Sequence, residues 1–434
     1  MKQLSRSYGR RFALLITTFA LFVMLSGEAR AAGVPGDYPP AYQALLAQQA
    51  SQAGNAEFDF RLGRAAYEVG DYETAIFAFE RVLIAQPDSD RTRLELARTF
   101  YAIGDLETSR QYFNAVLSRE TPLTVRQNIE AFLSRIDQAQ KHHLFGGMLS
   151  LGVTSDDNVF ASPAADAIRT LLGTVTLNGA TASPRSDLIG QATLLLNHAW
   201  RFDGKPFFWQ TSLQSHNAIY QDESSLDLNL LGLSSGPVWN RNQLQCALRG
   251  NVNYLELDHR RYLSSVGGEG ELTWAPDPRR SFGLLLRLAR IDYAEAARDA
   301  LQSGLELKPA LLWQNCRISG NLGLEFNAAR DDQQSYLREA IGLRIERPLS
   351  WQFIGNLGYR FQNSTYRQAA ALFGVKRHDR VHEVTAGLTR PFWQTSQGAQ
   401  LLGQLNYTYS SSDSNIDLYQ FDKNVTTLSL SWLF

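Results

Sequence analysis

An α + β multidomain chain is predicted, with an N-terminal α-helical repeat domain followed by a fourteen-stranded antiparallel transmembrane β-barrel. Three observations carry this expectation. Helical periodicity repeats at an offset of 34 residues when Gly70-Asp71-Tyr72 is laid on Gly104-Asp105-Leu106. From Leu144 onward the period changes to two, and Gly, aromatic and β-branched residues become frequent. The chain also opens with a basic and then apolar stretch of the kind that directs export.

Among its 434 residues, 42 Lys and Arg stand against 43 Asp and Glu, with 44% hydrophobic and 20% charged. Such a balance excludes a disordered tail and a polybasic partner for nucleic acid. Cys246 and Cys316 are too few for a disulfide scaffold and lack the clustered spacing of a zinc site. At the N-terminus Lys2, Arg6, Arg10 and Arg11 precede an apolar run from Phe12 to Leu25, about 14 residues long. That is shorter than the roughly 20 residues a spanning helix needs. Ala29-Arg30-Ala31 offers small residues to a signal peptidase, so residues 1–31 read as a cleaved signal peptide. Its removal takes away Lys2, Arg6, Arg10, Arg11, Arg30 and Glu28, leaving 37 basic against 42 acidic residues. No later segment is apolar enough for a spanning helix, whereas barrel strands hide their hydrophobicity in alternation.

Residues 32–143 form the helical domain. The first copy of the repeat, from Ala56, places Leu62, Gly63, Ala66, Gly70, Tyr72, Ala75, Phe79, Val82 and Pro87. The second, from Asp90, places Leu96, Ala97, Phe100, Gly104, Leu106, Ser109, Phe113 and Val116, with Thr121 where the first has proline. These positions resemble the tetratricopeptide repeat, in which small residues let two antiparallel helices approach and large ones fill the seam. Leu62, Gly63, Ala75, Phe79, Leu96, Ala97 and Phe113 are the expected packing residues. Asp59 stands where the pattern usually has an aromatic and Ala66 where it has Tyr, with Tyr67 one residue on to fill part of that space. Helices over 42–52 and 125–140 are expected to cover the ends of the stack, and Gly70-Asp71 and Gly104-Asp105 are turn chemistry.

Residues 144–434 form the barrel, and its fourteen strands are expected at 145–153, 186–202, 206–220, 226–239, 243–257, 262–275, 280–293, 299–313, 315–328, 334–347, 350–363, 378–393, 399–410 and 421–434. An even count suits a single-chain bacterial barrel. Tight turns at Asp203-Gly204-Lys205, Asn240-Arg241-Asn242, Asp277-Pro278-Arg279, Gln314 and Leu349 alternate with longer segments at 154–185, 221–225, 364–377 and 411–420. This is the rhythm of short periplasmic turns and longer outer loops. Alternation over the last strand ends on Trp432 and Phe434, which resembles the signal read by outer-membrane barrel assembly machinery. Arg249, Arg287, Glu306, Lys308, Arg317, Glu325, Arg344, Glu346 and Arg360 fall on the lumen register. Carrying both signs, they either pair across strands and stiffen the wall or line a passage for varied polypeptide. Cys246 and Cys316 fall on the lipid register of two separated strands, where packing is the expected role.

Chemistry is sparse. His378 and His382 share a face without a third ligand nearby, and His142-His143 reads as a solvated linker. Asp156-Asp157-Asn158 lacks the remaining ligands of a calcium loop. No nucleophile, base and orienting residue cluster, so neither catalysis, metal nor cofactor is expected.

The whole mature chain resembles the surface lipoprotein assembly modifier family. The resemblance rests on the 34-residue repeats over 56–121, the barrel opening Leu149-Ser150-Leu151-Gly152-Val153-Thr154-Ser155-Asp156-Asp157-Asn158-Val159, the segment Gly374-Val375-Lys376-Arg377-His378-Asp379, and Ser414-Asn415-Ile416-Asp417-Leu418-Tyr419-Gln420-Phe421-Asp422-Lys423-Asn424 before the last strand. It implies an outer-membrane translocator, with a periplasmic tetratricopeptide domain, that exports lipoproteins to the surface or secretes soluble clients. Client, lipid bilayer and assembly machinery are the implied partners, and no nucleic acid. The alternatives are a polysaccharide exporter, for which two repeats and a mixed lumen are a poor fit, and a solute porin, which leaves the helical domain unexplained.

Overall fold

The computed structural model describes residues 38–434 apart from 164, 180–181, 203–204 and 396–397, so the expected signal peptide and the Asp203-Gly204 turn lie outside the described residues. The chain divides between Lys141 and His142 into two compact units.

Six helices make up the described part of the first unit: α1 (Pro40–Gln52), α2 (Ala56–Val69), α3 (Tyr72–Ala85), α4 (Asp90–Ile103), α5 (Leu106–Leu117) and α6 (Leu123–Gln140). Each repeat is one antiparallel pair, α2 with α3 and α4 with α5, and punctuation is the same in both. Gly70 and Gly104 close α2 and α4 in the left-handed region at φ 83° and 86°, where a side chain would be strained. Asp71 and Asp105 then cap the next helix by accepting from the Thr74 and Thr108 N–H groups. The flanking helices begin two residues earlier than the periodicity indicates, because Pro39 and Pro122 precede them at positions where a missing N–H costs no helical bond.

The expected packing residues Leu62, Ala75, Phe79, Leu96 and Ala97 are fully buried and Phe113 is 1% exposed. A Cβ on Gly63 would sit 2.6 Å from the Phe79 ring, so this glycine sets the approach of α2 to α3. Gly63→Val is expected to cost about 1–3 kcal/mol through overpacking, read as a lower helical unfolding midpoint by circular dichroism; an unchanged midpoint would show that the seam can open freely. At the two departures from the repeat pattern, Asp59 is fully buried and pairs with Arg81 of α3 at 2.6 Å. Tyr67 packs on the Tyr72 ring at 5.7 Å.

In the second unit β1 (His143–Asp156) is followed by a small hairpin, β2 (Ala167–Thr170) and β3 (Gly173–Thr176). Then come β4 (Asp187–Arg201), β5 (Phe207–Tyr220), β6 (Leu228–Arg241), β7 (Leu244–Leu257), β8 (Arg260–Asp277) and β9 (Arg280–Tyr293). The remainder are β10 (Ala300–Trp313), β11 (Cys316–Ala329), β12 (Tyr336–Pro348), β13 (Ile354–Ala369), β14 (Lys376–Gln394), β15 (Gln400–Ser414) and β16 (Phe421–Leu433). Omitting the β2–β3 hairpin, these fourteen strands pair antiparallel in chain order and close through β1 against β16, in register Met148 to Leu433 through Asp156 to Val425. Closure satisfies every strand edge, the condition for a sheet in hydrocarbon.

Several strand ends differ from the alternation. β13 starts at Ile354 rather than 350, because Trp351 and Gln352 adopt positive φ and build a five-residue turn closed by Leu349 N–H to the Phe353 carbonyl, 2.7 Å. At the other rim β13 continues to Ala369 and β15 to Ser414, so the connections there are 370–375 and 415–420, shorter than expected. Backbone pairing needs no apolar side chain, and Thr365 against His378 and Ser414 against Asp379 carry it beyond the apolar band. One connection at that rim, Asp258-His259, is only a two-residue turn with both φ positive, which departs from the rhythm of short and long connections.

Candidate functional site in the barrel

Side-chain direction follows strand parity all the way round. Leu149, Leu151, Val153, Leu286, Leu343, Leu357, Leu405, Leu428 and Leu430 point outward and are 37–63% exposed. All eight tryptophans lie on the barrel, at or near the strand ends of the rim where β1 begins: Trp200, Trp209, Trp239, Trp274, Trp313, Trp351, Trp393 and Trp432. The opposite rim carries Tyr220, Tyr262, Tyr293, Tyr336, Tyr366 and Tyr419, of which Tyr336 turns inward to Glu325 with Tyr366 packed beside it. An apolar band edged at one rim by Trp and toward the other by the exposed Tyr254 and Tyr409 is the outer surface of a membrane barrel. Trp432 and Phe434 belong to the Trp girdle, their rings 4.7 Å apart, with Phe434 bonded to Gly147 through its N–H and carbonyl.

Inside, the charges are knitted together along β7 to β12. Arg249 reaches Glu269 and Glu271, both at 2.8 Å, and Lys308 lies 3.7 Å from Glu271. Arg287 pairs with Glu306 at 3.3 Å, and Arg344 with Glu346 at 3.0 Å. Glu325 accepts from Arg338 at 3.2 Å and from the Tyr336 hydroxyl at 2.8 Å. Arg317 and Arg360 line the same hollow as Glu271, Glu306, Lys308 and Arg344, a cavity of about 440 Å³. The structure therefore brings the nine lumen candidates into one arc. Glu269, Glu271 and Arg338 belong to it too; they share the inward parity of their strands and could have been found by extending the alternation through them.

The other arc of the lumen is uncharged over its middle height. Ser150, Gly152 and Thr154 of β1 face inward beside Ser431, Ser429 and Thr427 of β16. Ser431 donates to Ser150 at 2.9 Å and Thr154 shares a hydrogen with Thr427 at 2.8 Å. Gln191, Thr193, Gln404 and Asn406 continue this wall on either side. Small hydroxyl and amide groups offer hydrogen bonds in any direction without selecting a charge.

At the Tyr rim the long connection from β1 to β4 is tied down at three places. Asp156, buried, pairs with Lys423 at 2.6 Å. Asp157 accepts from the backbone and side chain of Asn424, and buried Asn158 donates to the carbonyls of Ser162 and Asp422. Thus Asp156-Asp157-Asn158 acts as a loop anchor. Further on, Arg169 of β2 reaches Asp417 at 3.3 Å, a hydrogen bond that holds the Asp417 carboxyl below its ordinary range, and the Leu171 N–H bonds the Leu372 carbonyl. His378 bonds Asn363 at 2.6 Å and His382 bonds Tyr359 at 2.9 Å; among the described residues no three candidate ligands converge on a metal position. His143 stacks on His198, and the thiols of Cys246 and Cys316 are free.

In the helical unit a row of rings and guanidinium groups runs along α2, α4 and α6. Arg91 lies 4.3 Å from the Phe60 ring centre, Arg98 5.1 Å from Tyr67, and Tyr101 packs edge-on against Phe132 at 5.4 Å. Tyr42 of α1 donates to Asp71 at 2.7 Å. Burial pushes the Asp71 carboxyl up, yet the bonds from Tyr42 and Thr74 outweigh it and hold the group below its ordinary range.

A model of the tetratricopeptide repeat matches residues 40–90 and 60–123, and the model described as surface lipoprotein assembly modifier matches residues 196–434, more than half of the chain. No curated protein matches. Among solved structures the chain is similar to an anion-selective porin from Comamonas acidovorans, at 11% identity over 67% of this chain and 99% of that one, TM-score 0.35. It is similar as well to a Pseudomonas aeruginosa FadL homologue, at 9% identity over 70% and 92%, TM-score 0.40. A bacterial polysaccharide outer membrane secretin follows at 8% identity over 68% and 100%, TM-score 0.35. None of these three likenesses bears on activity. This is an outer-membrane β-barrel protein with a periplasmic tetratricopeptide domain, and it belongs to the surface lipoprotein assembly modifier family.

Proposed function

We propose that this protein exports surface lipoproteins or secreted client proteins across the outer membrane, the helical domain binding the client in the periplasm and the barrel providing passage. The observation that carries the reading is the divided lumen. Charges on β7 to β12 are mostly neutralised by one another and brace the wall, while the arc from β15 through β16, β1 and β4 presents uncharged hydroxyls and amides. A polypeptide of varied sequence meets no fixed charge on that side that would arrest it. The Arg and aromatic row on α2, α4 and α6 suits an extended peptide, and holding a client near the barrel raises its effective concentration there. The work proposed is binding and passage rather than bond-making. Trp432 and Phe434 are proposed as the feature read by the barrel assembly machinery.

Surface labelling and secretome proteomics of cells with and without the protein, with envelope integrity checked, provide the test. Loss of one or two specific proteins from the surface or medium is the expected result. An unchanged protein profile rejects export and points to polysaccharide or solute transport. Deleting residues 38–140 separates the porin alternative, since solute uptake by a porin survives that loss while export of the client stops.

A further inference from the structure

The lipid-facing wall carries a hollow that passage through the lumen does not use. A groove of about 720 Å³ crosses the junction of β16 with β1 on the outward side. It exists because side chains are small where the wall would otherwise be padded. Ala192 and Gly190 lie opposite Leu151 and Val153 in the β1–β4 register, and a Cβ on Gly190 would meet nothing nearer than 4.0 Å. Leu428 and Leu430 of β16 bound the hollow on the other strand of the junction. Its size is that of a small-molecule site and its lining is almost wholly apolar, which fits an acyl chain.

At the edge toward the Trp girdle stands Arg390 of β14, opposite Gly403 of β15. Its side chain is exposed on the lipid-facing register, 5.3 Å from the Phe353 ring centre and 5.6 Å from that of Phe392, and among the described residues no carboxylate pairs with it. A cation on the lipid face is costly at mid-bilayer and tolerated near the interface, where an anion can meet it. We infer that the groove binds an anionic phospholipid of the periplasmic leaflet, its acyl chain in the hollow over Gly190 and Ala192 and its phosphate on Arg390. The acyl anchor of a lipoprotein carries no phosphate, so the placement of Arg390 favours the phospholipid. Such a lipid touches β16 and β1 at once and splints the pair that closes the barrel. The inference needs only the membrane barrel and stands apart from the export reading.

Native mass spectrometry of the full chain in detergent tests it, with dioleoylphosphatidylglycerol as the probe and dioleoylphosphatidylcholine as the zwitterionic comparison. Ala192→Phe fills the hollow and Arg390→Gln removes the charge; Leu343→Phe alters the outward face elsewhere. All three side chains point at lipid, and heat-modifiable gel migration reports that each variant has folded. The expected result is that phosphatidylglycerol binds at least about tenfold more tightly than phosphatidylcholine, that Ala192→Phe and Arg390→Gln each abolish the preference, and that Leu343→Phe keeps it. Equal retention of the two lipids overturns the inference, as does a preference that survives either groove variant. A synthetic triacylated lipopeptide that binds more tightly than phosphatidylglycerol and ignores Arg390→Gln also overturns it, and assigns the groove to a client anchor.

Discussion

Asp59→Ala is expected to destabilise the helical unit by about 3 kcal/mol, the lower end for breaking a buried ion pair. The carboxylate is fully buried and accepts from the Arg81 guanidinium at 3.0 and 2.6 Å and from the Gly54 N–H at 2.9 Å. Removing it leaves the Arg81 side chain, about a quarter exposed, with a partial route to water, which keeps the loss at the lower end. Replacing the pair together, as Asp59→Leu with Arg81→Met, is expected to recover most of the loss, because neither variant side chain brings a charge that needs a partner. Far-UV circular dichroism of the full chain during urea titration reads the helical transition. A single variant that unfolds at the wild-type midpoint would show that the pair contributes nothing.

Leu286→Arg is expected to cost roughly 2–4 kcal/mol of barrel stability. Leu286 is 47% exposed near the middle of β9, and its neighbour Arg287 points the other way to Glu306. One step along the strand thus separates a site in hydrocarbon from one in the lumen. Arg287→Leu, on the lumen side, is expected to cost less, since Glu306 is left beside a lumen cavity that Arg338 also lines. Reversible folding into lipid vesicles, followed by gel mobility in urea, checks both. Equal stability of Leu286→Arg and wild type would mean that this face does not lie in lipid.

Much of this architecture is legible in the residues because period and parity are local properties. A 34-residue offset places Gly63 and Ala97 at the same point of two helix pairs, and alternation assigns Leu286 and Arg287 to opposite faces with no knowledge of their neighbours. Strand ends are less legible. Residues 364–368 and 411–414 are polar, so the alternating signal fades there while the ladder continues. The turn at Leu349 misleads for a similar reason, since positive φ at Trp351 and Gln352 is not written in residue types that favour it.

The lumen was legible as a set of inward charges but not as a circuit. Arg249 and Glu269 are 20 residues apart and Arg287 and Glu306 are 19 apart, and each pair depends on strand register. Asp156-Asp157-Asn158 carried a visible cluster of oxygens, yet its partners Lys423, Asn424 and the Asp422 carbonyl come from the far end of the barrel sequence.

Residue order alone specifies the helical repeat, the number of barrel strands, the inward or outward parity along each strand and the family resemblance. It takes the folded chain to see that Asp59 is held by Arg81, that the charges brace one arc of the lumen and leave the other neutral, and that a lipid-facing hollow crosses the β16–β1 junction. The difference is one of range. Helix and strand periodicity arise from the geometry of consecutive residues, whereas ion pairs and hollows arise where barrel closure and strand register bring together residues up to several hundred positions apart.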